Sequence, residues 1–276
     1  MRIGVLDLGV GRRFLPFWEP FLEELGAELV RPGPGGRAAS PVDALQAGAE
    51  ELKRAGVDHV LIPDLQLGVE SEAGSGACPW VRDPAAFLRE VVAGLPPVLV
   101  VPGELGPDTP GAAARVGAAL AGNPQEVRLA LERTRSKIRP PGPFAPGWAR
   151  REAPVGVYGP PYLLEDDRHY RPLAAALGER GLTLPWRSPA ELREEGARLG
   201  LRLKLPTDLE WAGAAHALAR RHDVAAVLLL HDPDCPASQR VARRIAERLP
   251  KPGVPASPGE DPGEVAGRLE VVLGGG

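Results

Sequence analysis

Two cysteines are the residues of this 276-residue chain best suited to chemistry, and each is followed by proline, as Cys78-Pro79 and Cys235-Pro236. Proline is favoured in the first turn of a helix, and a thiolate is stabilised by the partial positive charge at a helix N-terminus. Cys235 follows an apolar run over 224–230 that reads as a strand buried on both faces. It precedes Val241, Ile245 and Leu249, whose spacing is that of an amphipathic helix. The thiol is therefore expected at the carboxyl end of a central strand, where open α/β sheets place their ligands. Cys78 has the same setting, after a strand over 58–63 and before a helix. Two such thiolates, one in each half, have three readings. They face one another across an interdomain cleft and ligate a soft metal or an iron–sulfur cluster. They close reversibly as a disulfide, which requires Cα atoms within about 7 Å. Or they are unrelated small buried residues at helix caps. No Cys-x-x-Cys pair and no cysteine–histidine group with zinc spacing accompanies them.

Around Cys235 lie His231, Asp232 and Asp234, which supply acid–base or hydrogen-bonding groups if their loop faces a cleft and act as turn formers otherwise. Tyr162, with Glu165, Asp166 and Asp167 after it, is a second candidate for lining that cleft, and Tyr162 and His231 are the expected substrate-binding residues. His216 sits in a mostly apolar helix and reads as packed. Gly9 and Gly11 lack the third glycine of a dinucleotide-binding turn, and no P-loop, nucleophile elbow or zinc-protease motif occurs.

These residues must be positioned by a βα array. Short apolar strands are expected at 2–8, 27–30, 58–63 and 97–101, with helices at 14–25, 40–55 and 83–93 between them. A parallel α/β sheet with helices on both faces follows. Helices over 111–121 and 124–138 have no strand after them and read as bridging or padding the domains. Residues 139–148, rich in proline and glycine, read as a linker. The alternation restarts at 155–158 and continues through a strand at 183–186 and the 224–230 strand, with helices at 168–180, 189–199, 208–221 and 262–273. The expected domains are 1–105 and 153–276, joined by 106–152.

A chain with 43% hydrophobic and 25% charged residues is that of a soluble globular protein. Its net charge of −3 gives no reason to expect a nucleic-acid partner, and no apolar run is long enough for a membrane span. The first residues read directly as a strand without a signal sequence, so a cytoplasmic location is expected. Arginine far outnumbers lysine, asparagine occurs only at Asn123, and proline is abundant. Thermophilic origin or high genomic GC content produces that bias.

Residues 15–30 (Leu-Pro-Phe-Trp-Glu-Pro-Phe-Leu-Glu-Glu-Leu-Gly-Ala-Glu-Leu-Val) resemble the opening of proteins related to the 2-hydroxyacyl-CoA dehydratase D-component and the associated domain of CoA-enzyme activases. The resemblance continues through the Val57-Asp58 strand ending at Pro63, Cys78-Pro79, the segment Gly159-Pro160-Pro161-Tyr162, and Cys235. It implies two Rossmann-like domains and a [4Fe–4S] cluster held by three cysteines, in a protein that acts with a dehydratase partner subunit on an acyl-CoA. Cys78 and Cys235 match two of those ligands. Ser40, in Ala39-Ser40-Pro41-Val42, stands where the third cysteine is expected, and a serine oxygen is a poor replacement for thiolate on iron. Pro160 stands where relatives often carry histidine. The alternative is a non-catalytic binding or partner protein that keeps the fold without a cluster.

Overall fold

The computed structural model describes residues 1–33, 40–67, 78–164, 167–178 and 180–274, with the backbone alone at 167–169 and 171. It divides into two compact units, Met1–Glu70 with Pro79–Pro141, and Ser71–Cys78 with Gly142–Gly276. Both are α/β, each built on a parallel sheet flanked by helices.

The first unit runs β1 (Arg2–Val5), α1 (Gly11–Glu24), β2 (Glu28–Val30), α2 (Pro41–Arg54), β3 (His59–Asp64), α3 (Pro79–Arg82), α4 (Pro84–Val91), β4 (Val98–Pro102), α5 (Thr109–Leu120) and α6 (Pro124–Thr134). Its strands are ordered β2-β1-β3-β4, with Gly4 in register between Val30 and Val60. A Cβ on Gly4 would come within 2.7 Å of Leu52, so the missing side chain lets α2 lie close on the sheet. Helix α1 buries Phe14, Phe17, Trp18, Phe21 and Leu22 in spite of two internal prolines. The amphipathic spacing fixes that buried face, and its aromatic packing offsets the two lost backbone donors. Helices α5 and α6 were expected to bridge or pad the domains. They pad this unit, where α6 packs against α1 and Val127 of α6 occupies the space over Gly117 of α5.

The second unit runs β5 (Ala149–Arg150), β6 (Val155–Tyr158), α7 (Pro161–Leu164), α8 (Asp167–Leu177), β7 (Leu182–Thr183), α9 (Pro189–Ala197), α10 (Pro206–Ala219), β8 (Ala226–Leu230), α11 (Pro236–Ala246), β9 (Gly253–Ala256) and α12 (Pro262–Gly274). The strand order is β5-β7-β6-β8-β9, again all parallel. Strand β8 is buried along its whole length, as a central parallel strand covered on both faces must be. Strands β5 and β9 were not anticipated. Both are edge strands, and β9 contains Gly253 and Pro255, residues that weaken a strand signal yet are tolerated where one side of the ladder is open. Among the described residues no helix is long and apolar enough to cross a membrane.

Candidate functional site

In the second unit β7 and β8 pair with opposite sides of β6. The chain therefore reverses its direction of travel across the sheet at β6, and the carboxyl ends of β6 and β8 mark the switch point where such sheets bind ligands. Gly159, just after β6, sets the spacing there: a Cβ would lie 2.9 Å from both the Cβ and the carbonyl oxygen of Leu230 at the end of β8.

The loop after β8 is fastened by short-range bonds. The His231 N–H donates to the Ala256 carbonyl at 2.9 Å. The Asp234 N–H donates to the Asp232 carboxylate at 3.0 Å, forming an Asx turn. The Asp232 N–H donates to Ser238 Oγ at 3.1 Å, and the Ser238 N–H donates to Cys235 Sγ at 3.4 Å. Cys235 is the N-cap of α11, with φ −113° and ψ 97°, so its sulfur accepts the first-turn N–H that a serine or aspartate oxygen commonly accepts.

Cys78 and Cys235 are bonded to each other as a disulfide, with Cα atoms 6.1 Å apart across a sequence separation of 157. That distance meets the geometric condition for a reversible pair. Cys78 is half-buried and Cys235 is 3% exposed. Both belong to the second unit, so the expected arrangement of one thiol from each unit is replaced by a bond within one of them. The two are also unlike in their helices. Cys235 caps an eleven-residue helix, whereas Cys78 precedes α3, a single turn of four residues with little macrodipole.

Ser40 caps α2 of the first unit, where its Oγ accepts the Asp43 N–H at 3.3 Å and the residue is 5% exposed. Its chemistry there is that of a helix cap. The cluster implied by the resemblance needs three thiolates. This chain has two cysteines, bonded to one another, and a capping hydroxyl at the third position, so the residues in this form do not fit it. Among the described residues no group of three or more histidines, cysteines or acids is arranged to hold a metal.

Tyr162, on the one-turn helix α7, is 7% exposed and shares a hydrogen bond with Ser238. Burial pushes its hydroxyl well above the usual phenol value, the charges of Asp232 and Asp208 push it further, and only the Ser238 bond opposes them. Burial likewise raises Asp232, which is 1% exposed. Asp208, in the first turn of α10, is pushed up to about 7 by burial, against the pull of Arg244. His231 is held below the usual imidazole value, again by burial. The residues predicted from sequence thus divide. Tyr162, Asp232 and Cys235 are joined in one network through Ser238, and His231 adjoins it in the chain. Ser40 is not part of that network.

Sequence reasoning missed Ser238 and Asp208. Ser238 carries a signal in hindsight, since it stands three residues after the N-cap cysteine. Asp208 looks like an ordinary acid at a helix start. Glu165 and Asp166 lie outside the described residues, as does the side chain of Asp167. His216 is half-buried and bonded to Glu195 at 2.7 Å, as befits a packed residue. Comparison with family models, with curated proteins and with solved structures returns no match for this chain.

Proposed function

We propose that this chain is a 2-hydroxyacyl-CoA dehydratase D-component-like protein that works without a cluster, as a binding or partner protein whose Cys78 and Cys235 form a reversible dithiol–disulfide centre. The resemblance of the Pro-Phe-Trp and Gly-Pro-Pro-Tyr segments supports the family part of this reading. The observation that carries the rest is the bond between two sulfurs far apart in sequence, one of them at a helix N-terminus beside the β6–β8 switch point. The step is a two-electron exchange. Two external thiols lose two protons and two electrons and leave as a disulfide, and Cys78 and Cys235 gain them and become free thiols.

Two measurements test it. The folded protein is equilibrated in glutathione buffers of graded potential and its thiols are counted by mass after alkylation; cycling between zero and two alkyl groups is expected. The protein is also purified anaerobically, reduced, and offered iron and sulfide; retention of neither after desalting is expected. A bond that resists millimolar thiol until the protein is unfolded makes the disulfide a structural staple. Stoichiometric retention of iron and sulfide restores the cluster reading.

A further inference from the structure

We infer that the Cys78–Cys235 bond is polarised: an incoming thiolate attacks Cys78 Sγ, and Cys235 leaves as a thiolate held at the start of α11. This rests on the reversible-pair reading above and assigns the two sulfurs separate roles within it. The attacking class is a low-molecular-weight thiol such as glutathione.

Two independent features point the same way. Exchange requires the attacking sulfur to reach one sulfur of the bond from the side opposite the other, so accessibility selects the sulfur attacked. Cys78 is half-buried while Cys235 is 3% exposed, enclosed by its own loop and the first turn of α11. Exchange is also faster when the departing sulfur is the better-stabilised thiolate. Cys235 has the Ser238 N–H already directed at its sulfur at 3.4 Å and sits at the positive end of an eleven-residue helix. Cys78, ahead of a four-residue turn, has no comparable helix. The loop carries two acids, Asp232 and Asp234, and the Asp232 carboxylate is engaged by the Asp234 N–H.

The balance is simple. The S–S bond breaks, a bond forms between glutathione sulfur and Cys78 Sγ, and the electron pair of the old bond goes to Cys235. A second glutathione then attacks the mixed disulfide, releasing Cys78 as a thiol and oxidised glutathione as product. Each thiol proton passes to solvent or to the departing thiolate.

The test uses the oxidised wild-type chain. It is exposed briefly to glutathione, quenched in acid, alkylated with N-ethylmaleimide and mapped by peptide mass. The expected species carries glutathione on Cys78 and the alkyl group on Cys235, in about tenfold or greater excess over the reverse. Glutathione found mainly on Cys235, or equally on both, while the bond still opens, overturns the polarity and leaves the reversible pair standing. A bond that glutathione never opens in the folded protein overturns both.

Discussion

At the scale of the residue, burial shifts Tyr162, Asp232, Asp208 and His231 towards their neutral forms. Asp208 illustrates the consequence. Its carboxyl rises from the ordinary 3.8 to about 7, so between those values the folded chain binds a proton that the unfolded chain has released. Stability from this group is fully present below pH 3.8 and is lost as pH rises towards 7. Asp208→Asn is therefore expected to remove that loss: urea midpoints of the wild type should fall between pH 5 and pH 8 relative to those of the variant. Tyr162 has the same sign at higher pH. Its hydroxyl stays protonated in the folded protein beyond the point at which an unfolded chain ionises, so stability declines as pH rises above about 10. Tyr162→Phe deletes the bond to Ser238 and should cost about 1 kcal/mol at neutral pH, read by denaturant unfolding. The placement of Tyr162 after β6 and of His231 and Cys235 after β8 was legible in the sequence, because each follows an unmistakable strand at a turn. The Tyr162–Ser238 bond and the burial of Asp208 were not, because each depends on where α7, α10 and α11 come to rest.

At the scale of the element, helices α9 and α10 cross at a pair of glycines. A Cβ on Gly196 would lie 2.0 Å from the Leu209 carbonyl oxygen, and one on Gly213 would lie 1.9 Å from that of Leu192. Both obstacles are backbone, which cannot swing aside. Gly213→Ala should force the two helices apart and destabilise the protein by about 3 kcal/mol or more. Gly156→Ala, whose new methyl would first meet the Leu218 side chain at 3.0 Å, should cost less. Thermal midpoints of the two variants rank these effects. The helices themselves were read from sequence, at 189–199 and 208–221, and α9 starts at a formed capping box between Ser188 and Glu191. The crossing was not, since a glycine within a helical pattern reads locally as a weak point rather than as a contact.

At the scale of the whole molecule, the two units repeat one plan. Leaving aside β5, each sheet places its second strand on one side of the first and its third and fourth on the other. Gly4 and Gly156 occupy the same register in their first strands, under Leu52 and Leu218. Asp64 and Asp232 close the same turn after the third strands, accepting the N–H of Gln66 at 2.8 Å and of Asp234 at 3.0 Å. The two arrays were legible because strand burial and βα alternation are local patterns, and the division after Pro141 falls in the proline-rich stretch. The pairing of the cysteines was not legible, since spacing alone left three readings open. Cross-linking residues separated by 157 positions restricts the unfolded chain strongly, and reduction should lower stability by about 2–4 kcal/mol. Calorimetry with and without reductant measures it.

That same separation sets an order of events during synthesis. Cys78 leaves the ribosome 157 residues ahead of its partner. At roughly 5–20 residues per second, it is exposed to the cell's redox buffer for about 8–30 s before Cys235 emerges. The first unit has its whole sequence by the time residue 141 is made, whereas the second gains its disulfide only after β8 and the start of α11 have been synthesised. The bond is thus a late addition to a nascent chain, made only after both partners have been synthesised.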